Sequence, residues 1–176
     1  MKIDGIAKLL MAGIAAEVAG LFVYAWNTFD ALPSRIPIHF NAEGVADSYA
    51  RKELAMWLGL PAAGALVCGV SIAVAVVMLK TRAESMNLPY KQRFLALPDE
   101  ERQPIMRGFA RAMLCTGLVW AVFFYTLQST LFRAALGLVP RFNPVPLAFE
   151  VGVVLLLMLG GTLLMALRIR ERIGPD

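Results

Sequence analysis

His39, Asn41 and Asp47 stand close together in a stretch that also holds Glu43 and Gly44, and His39 is the single histidine of the chain. An imidazole, an amide and a carboxylate on one short segment can hold a hydrated divalent cation, position a water, or close a hydrogen-bond network. A metal centre needs about four ligands, and imidazole with carboxylate suits Zn²⁺ or related ions. Glu43 and Glu150 are the further donors to consider, yet the spacing matches no standard ligand motif. A closed network or a partner-binding surface is therefore expected, with no metal and no cofactor. The second chemically notable residue is Glu17, a carboxylate in the middle of a long apolar run. Such a group costs several kcal/mol in hydrocarbon unless it is neutralised, paired or hydrated. It reads either as a proton or cation relay continuing to Gln128 or Glu150, or as a hydrogen-bonded tie between helices. No Ser/His/Asp arrangement, phosphate-binding loop or pair of catalytic carboxylates accompanies it, so catalysis is not expected.

Local chemistry gives the histidine segment a shape. Pro33 and Pro37 fix their own φ and push the residues before them toward extended conformations, so Leu32 to Phe40 should be stiff and extended. Asn41-Ala42-Glu43-Gly44 has the residue types of a tight turn, with Asn41 able to bond the following backbone and Gly44 free to take positive φ. The chain reverses there and brings Asp47 back toward His39 and Asn41. Asp47 and Ser48 are expected to cap a helical lead-in that runs from Arg51 to Trp57.

The segment must be positioned by the apolar runs around it. Of 176 residues, 59% are hydrophobic and 17% charged, with a mean hydropathy of +0.64, which is a membrane-protein composition. Windows near 6–29, 54–79, 108–132 and 145–167 are each long enough to cross about 30 Å of hydrocarbon as a helix. They show no period-2 polarity and are about twice the length that outer-membrane strands need. The first run, behind Lys2 and Lys8, is too long for a signal peptide, carries Glu17, and meets Trp26-Asn27-Thr28-Phe29 without a small-residue cleavage site. The expected fold is an all-α integral membrane protein, one domain over 1–176, with four transmembrane helices and an ordered outward-facing loop between helices 1 and 2.

Basic residues set the expected orientation, because short cytoplasmic connections retain Lys and Arg. The second connection and its flanks hold Lys80, Arg82, Lys91, Arg93, Arg102, Arg107 and Arg111, and the tail adds Arg168, Arg170 and Arg172. The first loop offers Arg35, Arg51 and Lys52, and the third only Arg133 and Arg141. Both termini should be cytoplasmic. The net charge of +4 suits anionic lipid headgroups of the bilayer and not nucleic acid, since the basic residues sit at helix ends without an aromatic-interleaved groove. Cys68 and Cys115 fall inside spans, where a disulfide or thiolate metal site is not expected.

Small residues recur every four positions as Ala12, Ala16 and Gly20 on the first span and Ala65, Gly69 and Ala73 on the second, and the two stripes are expected to face each other, or to pack a membrane-protein partner or second copy. Pro61 is expected in the first turn of the second membrane helix. In the connection before the third span, Leu97-Pro98-Asp99-Glu100-Glu101 reads as a helix start, with Pro104 breaking or kinking that helix. Tyr90 to Leu95 mixes basic and apolar side chains and reads either as a segment lying on the inner leaflet or as a solvated linker.

At this point the run LPSRIPIHFNAEGVADSYARKE resembles the LPxxIPxHxNxxGxxDxxxxK signature of a bacterial domain of unknown function, found as the N-terminal membrane hairpin of SdpI-type immunity proteins. Leu32, Pro33, Ile36, Pro37, His39, Asn41, Gly44 and Asp47 match, and Lys52 keeps the basic end. The resemblance covers roughly residues 31–60. It implies a multi-pass protein of the bacterial inner membrane, of a kind that protects against a secreted peptide toxin and sequesters a repressor at the membrane. Three function classes follow: an SdpI-like binding or immunity module acting through its outer loop, an accessory subunit of a larger membrane complex, and a small proton- or cation-coupled transporter using Glu17.

Overall fold

The computed structural model describes residues 3–81, 83–86 and 91–173. Lys2, Arg82 and Tyr90, invoked above, lie outside the described residues, as does the side chain of Arg172. Four helices are long and apolar enough to cross a membrane: α1 (Gly5–Phe29), α2 (Leu54–Lys80), α4 (Asp99–Ala135) and α5 (Val145–Ile173). A short α3 (Lys91–Ala96) precedes α4. The fold is mostly helical but not all-α, because the connection between α1 and α2 is an antiparallel hairpin of β1 (Arg35–Phe40) and β2 (Ala46–Arg51). The expected helical lead-in from Arg51 is thus corrected. Asp47 and Ser48 lie in a strand and cap nothing, and α2 starts at Leu54.

Helix α4 is the hub, packing against α1, α2 and α5. At its centre Gly117 meets Ile14 of α1 and Ser71 of α2, where an added Cβ would lie 2.9 and 3.0 Å away. Gly64 does the same for the ring of Phe124, with 2.9 Å to its Cγ. Around these close approaches Ile14, Cys68, Ala75, Leu114 and Ala121 form the core. The small-residue stripes behave differently from the expectation. Ala12, Ala16, Gly20, Gly69 and Ala73 are exposed on the outside of the bundle and Ala65 is half-buried, so the stripes do not face each other. The buried line of α1 is instead Ala7, Ile14, Leu21 and Ala25, and that of α2 runs through Trp57, Pro61, Gly64, Cys68, Ala75 and Leu79.

Two prolines also depart from the expectation. Pro61 lies inside α2, beyond its first turn. Having no N–H, it leaves the Trp57 carbonyl without its helical donor, and the Gln128 amide of α4 reaches across to that oxygen at 3.4 Å. Trp57 in turn donates its indole N–H to the Ala25 carbonyl at 2.9 Å, tying α2 to α1. Pro104 does not break α4, which runs continuously from Asp99 to Ala135. Pro104 and Glu100 are both exposed, so the carbonyl that the proline leaves unpaired faces water.

Asp4 caps α1 by accepting from the Ala7 amide at 2.9 Å, and its second oxygen accepts from Arg111 at 3.1 Å. The Ala7 bond, then Arg111, holds this carboxyl below its ordinary pKa of 3.8, against the opposing effect of burial. The pair sets the N-terminus of α1 level with residue 111 of α4, so the first turns of α4 project beyond the apolar bundle. There Phe94 of α3 is fully buried with Leu97, Ile105, Met106, Met165 and Ile169. The α3 segment therefore docks on the end of the bundle through Phe94.

Candidate functional site

The hairpin is organised from its turn. The Asn41 side-chain oxygen accepts from the amides of Glu43 and Val45 at 3.1 and 2.9 Å, and the Asn41 and Gly44 amides close the turn on Val45 and Asn41 carbonyls at 2.9 Å each. Gly44 has φ +76°, the left-handed conformation that only glycine adopts without strain. In the strands, Arg35 opposes Arg51, Ile36 opposes Ala50 and Pro37 opposes Tyr49, after which the register slips on both sides of His39. Pro37 is tolerated because a two-stranded sheet has only edge strands. The slip is a bulge, which re-aims a side chain, and here the His39 Nδ1 meets Asp47 Oδ1 at 2.6 Å. The pair is open to solvent, with 66% and 44% of the two side chains exposed.

The hairpin base is bolted to the helices. Lys52 donates to the carbonyls of Asp30 and Leu32 at 3.0 Å each, the orphan carbonyls after the end of α1, and lies 4.9 Å from the Phe29 ring centre. Leu32 and Ile36 are buried against Ala25 and Trp57. The hairpin tip is held from the other side by the α4–α5 connection. The Phe142 amide donates to the Gly44 carbonyl at 2.7 Å, and the rings of Phe40 and Phe142 stack with centroids 4.9 Å apart.

Between the hairpin tip, α4 and this connection lies an open cleft of about 820 Å³. Ile38, Phe40, Leu127, Leu131 and Phe142 give it an apolar wall, His39 lines it, and Glu43 and Arg141 bring opposite charges to it. Apolar surface with a few convergent polar groups is the usual make-up of a ligand site.

Thus His39, Asn41, Gly44 and Asp47 are brought together, with Pro37 in β1 and Pro33 exposed just before it. Glu150 does not join them. One of its oxygens accepts from Thr126 at 2.9 Å and the other is buried without a partner among the described residues. Among the described residues no group of three or more metal-ligating side chains forms. Nor is a relay assembled: Gln128 is buried against Trp57, Glu150 is on Thr126, and Glu17 is exposed on the outside of α1 without a hydrogen bond or ion pair among the described residues. Sequence reasoning did not single out Phe40, Phe142, Leu127 or Leu131 for the cleft. Only an aromatic set in the otherwise polar run Arg141-Phe142-Asn143 hinted at one of them.

With this geometry in view, residues 18–64 match a domain of unknown function (DUF1648). The match takes in the second half of α1, the hairpin and the start of α2 through Gly64. No curated protein and no solved structure matches the chain.

Proposed function

We propose that the protein is a non-catalytic membrane binding module of the SdpI-like immunity type, which takes an extended peptide in the cleft between the hairpin tip and the α4–α5 connection. The hairpin faces outward and the termini lie in the cytoplasm of a bacterium, in keeping with the distribution of Lys and Arg. One observation carries the reading: the signature residues do not line a buried reaction centre but shape an exposed, backbone-braced hairpin beside an apolar cleft. A hairpin also leaves free strand edges, to which an extended peptide can add through main-chain hydrogen bonds. The apolar wall supplies burial, and Glu43 and Arg141 can select charge.

The test is expression of the wild-type protein in a bacterium sensitive to a secreted cannibalism-type peptide toxin. Survival should rise with wild type and fall back with Phe142→Ala, which removes the wall without touching the turn. Unchanged sensitivity with wild type present in the membrane sinks the reading.

A second reading, an accessory subunit, is favoured by Glu17. This carboxyl is exposed at the middle of α1, at the depth where lipid tails would surround it, near the exposed Ala16 and Gly20. A covering helix would satisfy it. Gentle-detergent purification from the native membrane distinguishes the two, since a stoichiometric partner complex supports the accessory role. A transport function through Glu17 is the weakest of the three, because Gln128 and Glu150 have other engagements.

A further inference from the structure

The face of the hairpin base carries a charge arrangement that the peptide-binding reading does not use. Arg35 and Arg51 are directly opposite one another across the two strands, both exposed. Like charges at opposed positions are destabilising, because the side chains leave the sheet side by side. Neither guanidinium is in an ion pair among the described residues, Glu53 included. Arg35 lies over the Tyr49 ring, 5.8 Å from its centre, so the aromatic face holds one guanidinium in place. With Ser34 and Lys52 these residues line an open cleft of about 890 Å³. The Lys52 ammonium, committed to the carbonyls after α1, adds a third positive charge, and no acidic side chain lines the cleft.

Its depth is fixed as well. Lys52 ties the cleft to the end of α1, and α2 begins two residues further on at Leu54. Both ends belong to apolar membrane-spanning helices, so the cleft stands where the hydrocarbon layer gives way to headgroups. Trp57, one turn into α2, and Phe29 mark that boundary.

We infer that Arg35, Arg51, Tyr49, Ser34 and Lys52 form a binding site for a phosphoryl anion, filled by the headgroup of an anionic phospholipid. Two guanidiniums meeting across a strand pair present parallel N–H donors that match phosphate oxygens bidentately. Such an anion converts the unfavourable cross-strand pair into a bridged one. The site is separate from the peptide cleft, which lies at the other end of the hairpin, so failure of either leaves the other standing.

The experiment uses the full chain in a neutral detergent. Thermal stability and native mass spectrometry are followed on addition of phosphatidylglycerol, phosphatidylcholine or inorganic phosphate. Three proteins are compared: wild type, Arg35→Gln/Arg51→Gln, and Arg168→Gln/Arg170→Gln, which loses the same charge at the opposite end of the bundle. Wild type and the Arg168/Arg170 variant should bind phosphatidylglycerol at least tenfold more tightly than phosphatidylcholine, and the Arg35/Arg51 variant should lose that preference. The Arg35/Arg51 variant should fold, and its lipid-free stability should not fall, since the substitutions remove a repulsion. If phosphate alone at millimolar concentration gives the same Arg35- and Arg51-dependent stabilisation, the phosphoryl site stands but its source is soluble. Equal preference in all three proteins, or an equal loss in the Arg168/Arg170 variant, overturns the proposal.

Discussion

Gly44→Ala is the most informative single substitution, because two independent demands meet at that residue. Its φ of +76° costs an L side chain about 1–2 kcal/mol. A Cβ built there lies 2.4 Å from the Phe142 carbonyl oxygen and 3.2 Å from its nitrogen, both backbone atoms that no rotamer change can move aside. The α4–α5 connection must retreat. It then loses the Phe142 N–H bond to the Gly44 carbonyl, worth about 1 kcal/mol, and part of the Phe40–Phe142 stack, worth about 0.5–1.5 kcal/mol. The contact terms sum to about 1.5–2.5 kcal/mol, separate from the conformational cost, which stays in the turn. Hydrogen exchange reads it directly, because local opening energies appear as protection of individual amides. At about 1.4 kcal/mol per tenfold, the Phe142 amide should exchange roughly 10- to 60-fold faster, with amides of α2 and α4 unchanged. Gly44→Asn, whose side chain tolerates positive φ, should recover only the conformational part. Protection at Phe142 within threefold of wild type in Gly44→Ala would refute the idea that the connection is seated on the hairpin tip.

The remaining predictions test other joints. His39→Ala and Asp47→Ala should damage the same property without adding, with a coupling of about 0.5 kcal/mol by double-mutant cycle, as suits an exposed pair; strict additivity would mean that the 2.6 Å contact carries nothing. Gly64→Ala, which forces a methyl to within 2.9 Å of the Phe124 ring, should lower stability by about 1–3 kcal/mol, while Gly69→Ala, with open space around it, should be neutral in detergent melting. Asp4 has a depressed pKa in the folded protein, so its contribution is present above the unfolded value near pH 4 and is lost as pH falls through the lower folded value. Asp4→Asn, which keeps a capping oxygen, should therefore flatten the fall in melting temperature below about pH 4, and unchanged pH curves would mean that the Ala7 and Arg111 bonds do not favour the charged carboxylate.

What was legible in the chain follows from how local each determinant is. The number of long apolar helices came from run length alone, because twenty apolar residues leave a membrane helix little alternative, whereas α4 starts nine residues before the window expected from 108 and α5 runs on past 167. The reversal at Asn41 to Gly44 and the meeting of His39 with Asp47 were readable because turn chemistry acts within a few residues. The second strand was missed because Ala46 to Arg51 has no run of β-branched residues, and its pairing is dictated by β1 and not by its own propensity. The packing faces were missed for a different reason. Helix α2 is apolar all round, so periodicity cannot say which side meets α4. Gly64 and Gly117 lie on the used faces, whereas the more regular Ala65-Gly69-Ala73 repeat does not. The cleft at the hairpin tip was invisible for the same non-local reason, since about half of it comes from residues around 127–144.

The intramembrane polar residues, read together, narrow what α1 must do. Gln128 is accounted for by Pro61, since a proline inside α2 exposes the Trp57 carbonyl and a carboxamide from α4 repairs it. Glu150 has a hydroxyl partner in Thr126 on the neighbouring helix. Each thus has one partner within the bundle, while Gln128 Oε1 and Glu150 Oε2 are buried without a hydrogen bond among the described residues. Glu17 is the exception: it faces away from the bundle at the midpoint of its helix and bonds to nothing among the described residues. A single copy surrounded by lipid would leave that carboxyl without a hydrogen-bond partner at a cost of several kcal/mol. Glu17→Gln keeps a hydrogen-bonding side chain of the same size, whereas Glu17→Leu removes it. Folding of the isolated chain should survive either change, so a selective loss of a co-purifying protein in Glu17→Leu would place the partner against this face of α1.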